Sequence, residues 1–244
     1  MAEPCHSGTF ARSDLGSVLK SESAANNKFQ MHFAAIDPPN NSPMEMSLTP
    51  SSARGRLTFA IRSDFLRVRR DRPPQLWWVL IEMVRSTGFR AAVYYRLAHT
   101  LLLHGVPVLP SLIQAHSIRS TGADISPASK IGVGLLLPHP VGIVIGGGVV
   151  VGENCTIFQN VTCGELLRPD RDHSYPDIGD RVTLSAGAVC LGGIKVGSDS
   201  IVGANSVVTR SIPNGVVAAG APAKVLRTLP LDKAEPTSVC RQDS

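Results

Sequence analysis

One histidine of this chain stands where it could act as a base. His139 lies between two prolines in LLLPHPVGIVIGGG, Leu135 to Gly148, a run otherwise apolar and rich in glycine. A neutral imidazole has an unperturbed pKa of about 6.5, so it accepts protons near neutral pH. Removing the proton of an alcohol would let a poor nucleophile attack an activated carbonyl. A carboxylate on the second ring nitrogen would fix the tautomer and stabilise the imidazolium formed during attack. The residue types leave two readings open: a working base, or a polar side chain satisfied at a proline-flanked bend. The backbone around the segment has to decide.

That backbone has an unusual period. Ile125, Ile131, Leu137 and Ile143 are spaced by six, and after a two-residue slip between Ile143 and Ile145 the series continues through Val151, Ile157 and Cys163. Beyond an irregular insert, Ile178, Leu184, Cys190, Val196, Val202 and Val208 hold it without a break. Glycine follows the apolar residue at Ile131, Ile145, Val151, Cys163, Ile178, Val196 and Val202. Helices repeat near 3.6 and strands at 2.0, so neither accounts for six. A hexad fits a parallel β-helix, in which each side of a triangular coil is one short strand and one turn. The branched residue points inward, and the small residue after it lets the chain round the corner.

Upstream, from about Leu57 to Ser120, the pattern is helical. RLTFAIRSDFLRVRRD sets Phe59, Leu66 and Val68 among arginines, and Pro73-Pro74 ends the run. Further helices are predicted over Leu76 to Arg85, over Gly88 to Leu103 with Val93, Leu97 and Leu101 on one face, and through Ile118. The predicted organisation is a disordered tail over 1–52, a helical domain over 53–120, the β-helix over 121–228 and a flexible tail over 229–244. Met31, Met44 and Met46 raise the alternative that translation starts inside the first tail.

Composition narrows the function classes. A net charge of +5 is too mild to argue for nucleic acid and suits an anionic small-molecule partner. The five cysteines show no CxxC pairing, and Cys155, Cys163 and Cys190 stand where small apolar residues would serve. They are expected to be reduced packing residues in a cytoplasmic protein. No stretch is long and apolar enough to suggest a membrane span, and the N-terminus lacks the pattern of a secretory signal.

Several segments together narrow the reading. They are IRSDFLRVRRDRP, YYRLAHTLL, ADISPASKIGVGLLLPHPVGIVIG, NCTIFQNVTCG, IGDRVTLSAGAVCLGGIKVGSDSIVGANSVVTRSIP and AAGAPAKV. With the hexads, they resemble the left-handed β-helix acyltransferases, and within these the serine O-acetyltransferase group. The resemblance implies acetyl transfer from acetyl-CoA to a small-molecule hydroxyl, with acetyl-CoA as co-substrate and no metal. It implies a homotrimer with active sites between neighbouring β-helices, and leaves open whether two trimers pair.

By the same resemblance His139 falls on the catalytic base, Asp124 on the aspartate that orients it, and Asp64 on an aspartate that holds the amino-acid substrate. Ala186, Gly187, Ala204, Gly220 and Lys224 match the stretch along which CoA lies. Each has a plainer alternative: a turn residue for Asp124, a helix-surface charge for Asp64, a solvated lysine for Lys224. The thioester oxygen would also need donors as charge develops on it, and the sequence names none.

The pattern departs from the group at three places. Pro138 stands where an acid precedes the histidine, Gly147 replaces another acid, and Tyr175 takes the place of a substrate-binding histidine, leaving His173 two residues upstream as the candidate. The resemblance implies L-serine to O-acetylserine as the reaction, and the three departures point to another hydroxy-amino acid or a sugar hydroxyl as the alternative acceptor. The C-terminal SVCRQDS also differs from the isoleucine-ended tail with which some relatives bind their sulfhydrylase, so no cysteine synthase complex is expected. A β-helix carbonic anhydrase would need three metal-binding histidines, and only His139 and His173 lie in the coils. A non-catalytic β-helix scaffold would be indifferent to loss of His139.

Overall fold

The computed structural model describes residues 52–70, 72–166 and 174–230; the predicted tails lie almost wholly outside the described residues, as does His173. Among the described residues the chain leads into the β-helix through four helices: α1 (Ala53–Val68), α2 (Leu76–Arg85), α3 (Thr87–Leu103) and α4 (Leu109–Thr121). The Ser52 and Ser86 hydroxyls accept from the Gly55 and Phe89 N–H groups and so cap α1 and α3. The Pro73-Pro74 break falls between α1 and α2, and α2 occupies its predicted span.

The buried side of α3 differs from the predicted stripe. Val93 is buried, but Leu97 is 36% exposed, while Phe89, Ala91, Ala92, Tyr95, Arg96 and Ala98 are buried. The helix has neighbours on two sides. Phe89 and Val93 join Phe65 in a small helical core, whereas Ala91, Ala92 and Tyr95 pack into the core of the β-helix. Two buried faces on one helix leave no single apolar stripe to read.

From Asp124 the chain winds as a left-handed parallel β-helix of three sheets. The first holds β1 (Asp124–Ile125), β3 (Val144–Ile145), β6 (Thr162–Gly164), β9 (Val189–Leu191) and β12 (Val207–Val208). The second holds β2 (Lys130–Ile131), β4 (Val150–Val151), β7 (Asp177–Ile178) and β10 (Lys195–Val196). The third holds β5 (Thr156–Ile157), β8 (Thr183–Leu184), β11 (Ile201–Val202) and β13 (Val216–Ala219), closed by antiparallel β14 (Lys224–Thr228).

In-register pairing stacks the hexad residues in columns. Ile125, Ile145, Cys163, Cys190 and Val208 form one. All fourteen hexad positions are inside, none more than 8% exposed. Burial of each aliphatic contributes roughly 1.5–3 kcal/mol, which is why the period is so strictly kept. Cys155, Cys163 and Cys190 are free and buried.

The slip in the period lies earlier than the sequence suggests. Ile125 pairs with Ile145, so Ile145 is the in-register residue of the second coil. Ile143 instead joins the second inward column with Ala123, Val161 and Ala188, each the residue two before its sheet partner, and all four are 0% exposed. The extra residues therefore lie between Leu137 and Ile143. They widen the corner that carries Pro138, His139 and Pro140.

The first coil has no coil before it, so its backbone polar groups need other partners. Side chains of α1 and α3 supply them. Tyr95 Oη donates to the Ser129 carbonyl at 2.9 Å and accepts from the Ile131 N–H at 3.1 Å. Arg96 donates to the Ile131 and Gly132 carbonyls, both at 2.6 Å. His99 Nδ1 donates to the Pro127 carbonyl at 2.8 Å, and the Asp64 carboxylate accepts from the Leu135 N–H at 2.8 Å. At Gly88, where α3 begins, a Cβ would lie 1.7 Å from the Leu137 carbonyl oxygen, so only glycine lets the helix sit against the coil just before His139.

Candidate active site

The chain turns from the third sheet to the first at one corner of every coil. Its successive turns carry Gly142, Asn160, Gly187 and Asn205, all in the left-handed region at φ of 74°, 57°, 71° and 53°. Glycine and asparagine are the residues that tolerate this conformation. Backbone bonds stack the turns: Gly142 N–H to Gly122 O, Asn160 N–H to Val141 O, Gly187 N–H to Gln159 O and Asn205 N–H to Ala186 O, at 2.9 to 3.0 Å. His139 stands exposed on the first of these turns.

The positions expected to meet CoA lie on the same edge. Ala186 and Gly187 occupy the turn between β8 and β9, and Ala204 the turn between β11 and β12. Gly220 follows β13, and its carbonyl accepts from the Val207 N–H at 2.9 Å. Lys224 is exposed at the start of β14, opposite Ala219. The structure thus lines His139 and the small residues along one ridge of the prism. Between them stands Gln159, whose side-chain Oε1 is buried without a hydrogen-bond partner. A buried acceptor left unsatisfied in this way is uncommon and calls for a donor. No periodicity singles out Gln159, because it sits outside the hexad series.

Asp124 reaches the same edge from β1. It is half-buried, two residues after Gly122, whose carbonyl receives the end of the His139 corner. Within one chain its carboxylate is bonded to an α4 side chain, Gln114 Nε2, at 2.7 Å, and not to His139. Nothing in the sequence marked Gln114.

Asp64 is placed differently from the expectation. It is 0% exposed, its two oxygens take Arg96 Nε at 2.9 Å and Arg96 Nη2 at 3.1 Å, and Oδ1 also takes the Leu135 N–H. A carboxylate with both oxygens engaged and no solvent contact is a clamp between the helices and the first coil. It has no free face for an acceptor.

The insert between β6 and β7 leaves from another corner, between the first and second sheets. There the Tyr175 ring lies over Gly146 and Gly148: a Cβ at Gly148 would fall 2.2 Å from the ring. The Tyr175 hydroxyl donates to Glu165 Oε2 at 3.0 Å, joining the two ends of the insert. Burial, and then the Glu165 carboxylate, push the Tyr175 phenol up from its ordinary pKa. The triple glycine after Ile145 is therefore a bed for a ring. Gly147 lies beside Ser126 and Ala128.

Among the described residues there is no group of three or more His, Cys, Asp or Glu side chains placed to hold a metal, and no helix long and apolar enough to cross a membrane.

No protein-family model matches the chain. It is 34% identical over 180 residues to the serine acetyltransferase of Synechococcus elongatus, covering 72% of this chain and 73% of that one. Against two serine acetyltransferases of Arabidopsis thaliana the identity is also 34%, and the chain spans about half their length, 56% and 51%. A solved Brucella abortus serine acetyltransferase in complex with coenzyme A superposes with a TM-score of 0.63 at 34% identity, covering 70% of this chain and 68% of that one. The soybean serine acetyltransferase complexed with serine gives 0.63 at 34%, with 70% and 69% covered.

Proposed function

Because the chain belongs to the serine acetyltransferase family, we propose that it transfers the acetyl group of acetyl-CoA to the hydroxyl of L-serine, giving O-acetylserine. The observation that carries this reading is the ridge on which His139 and the small residues Ala186, Gly187, Ala204 and Gly220 follow one another up successive coils.

His139 takes the hydroxyl proton as the serine oxygen attacks the thioester carbonyl, so no acyl-enzyme is needed. The tetrahedral centre collapses with cleavage of the carbon–sulfur bond, and the imidazolium returns its proton to the departing CoA sulfur. Asp124 steadies the imidazolium through the second ring nitrogen, as a carboxylate does in half of a triad. The pantetheine arm runs along the ridge, where small side chains permit close approach. The orphan Gln159 Oε1 fits one of the arm's amide N–H groups.

His139 and the insert stand on different corners of one prism, which supports a trimer with each site completed by the neighbour's insert. Asp64 is left out of the acceptor site, and His173 is kept as a substrate contact from the insert. Lys224 supplies a cation for a CoA phosphate at the far end of the ridge.

A second acceptor is favoured by one observation. At the Gly146–Gly148 bed an aromatic ring stands where the family places a histidine, and Pro138 and Gly147 remove two further polar groups. These losses suit another hydroxy-amino acid or a sugar hydroxyl. Thiol release from acetyl-CoA, followed with serine, homoserine and a panel of sugars, separates the readings. The highest kcat/KM is expected with serine. A higher value with another acceptor replaces serine by that acceptor, and no turnover with any of them rejects the proposed activity.

A further inference from the structure

We infer that Gln114 is a positioning residue for this reaction, holding Asp124 in the orientation that serves His139; the inference rests on the acetyltransferase reading above. Gln114 Nε2 donates to Asp124 Oδ1 at 2.7 Å in a part-buried setting. A carboxylate only accepts, so the amide nitrogen must face it, which settles which way the amide points. A hydrogen bond to an ionised acceptor is short and strong, particularly away from bulk water. With Oδ1 held from α4, Oδ2 is the oxygen left for the imidazole.

Gln114 is itself well fixed. Its helix packs along α3, where Tyr94 Oη and His116 Nε2 meet at 3.2 Å and Arg90 Nη2 donates to the Ser120 carbonyl at 3.3 Å. The helix then ends at Gly122, left-handed at φ 76°, and β1 begins two residues later. The Gly122 carbonyl receives the Gly142 N–H at 2.9 Å. One short segment, α4 through Gly122 to Asp124, therefore both anchors the carboxylate and fastens the corner that carries His139.

The amide suits the task for an electrostatic reason. A lysine or arginine at this place would neutralise Asp124 and compete with the imidazolium for it. A neutral donor orients the carboxylate and leaves its charge for His139.

The test is steady-state kinetics on Gln114→Met and Gln114→Glu, each alone and in an Asp124→Asn background. Met keeps the length and helix propensity of Gln and lacks the donor; Glu keeps the shape and puts an anionic acceptor where the amide donates, so a folding failure of one leaves the other. We expect kcat to fall on the order of tenfold or more, with KM for acetyl-CoA and the melting temperature little changed, and no further fall in the Asp124→Asn background, because residues acting as one unit are not additive. Wild-type kcat in either folded variant overturns the inference, and so does an equal, additive loss in both backgrounds. A wild-type protein that releases no thiol overturns the acetyltransferase reading itself. An active wild type with an impaired Asp124→Asn and an unimpaired Gln114→Met overturns only the role of Gln114.

Discussion

Asp64 on α1 and Arg96 on α3 form a fully buried, two-pronged ion pair, with Nε–Oδ2 and Nη2–Oδ1 at 2.9 and 3.1 Å. Arg96 also donates to the Ile131 and Gly132 carbonyls, and Asp64 takes the Leu135 N–H. The pair closes the open end of the β-helix. Removing one partner leaves a buried charge uncompensated, which costs about 3–5 kcal/mol. Asp64→Asn should therefore lower the urea midpoint sharply. Unchanged stability with a raised KM for the acceptor would instead return Asp64 to the substrate.

His99 predicts a pH dependence of stability. Burial pulls its pKa below the ordinary value, Arg96 and Lys130 add to the fall, and the Pro127 carbonyl opposes it. The imidazole also stacks on the Tyr95 ring, centroids 5.5 Å apart. Since the folded pKa is lower than the unfolded value of about 6.5, the unfolded chain binds the proton more tightly as pH falls below that value. The His99 contribution is whole above about pH 6.5 and is lost as pH falls from there towards the folded pKa. Urea unfolding across this range should show a shallower acid-side decline in His99→Gln than in the wild type. Parallel curves would contradict the assignment.

Gly148 and Tyr175 should behave as a matched pair. Gly148→Ala puts a methyl into the ring and forces Tyr175 off its bed, away from Glu165; overpacking of this kind costs about 1–3 kcal/mol. Adding Tyr175→Ala makes the room the methyl needs, so the double variant should melt above the value expected by adding the two single losses. Simple additivity in a thermal melt would show that the ring and the glycine do not meet.

Much of this architecture was legible because it is periodic. Every hexad residue from Ile125 to Val208 is inside, since a column of stacked coils repeats one packing requirement. The span of α2 was legible from the prolines before it. What the period hid was anything set by a single long-range contact. The slip at the His139 corner was misplaced because Ile143 is apolar and buried for a second reason, in the column of Ala123 and Val161. Asp64 reads as a substrate contact by resemblance, or as a surface acid among arginines, because Arg96 and Leu135 come near it only when helix meets coil. The partnership of Gln114 with Asp124 crosses a helix end, and that of Gly148 with Tyr175 crosses the insert; neither leaves a spacing to read. His139, Asp124 and the ridge residues were found by their likeness to a family, and the fold adds the shared edge that relates them.

The role proposed for His139, on the widened first corner, is that of the base. It is tested most directly by the kcat of His139→Asn for thiol release from acetyl-CoA with serine, on protein whose melting temperature matches the wild type. Loss of a positioned general base should lower kcat by roughly 10²–10⁴-fold while acetyl-CoA still binds. Turnover at the wild-type rate would show that His139 is not the base.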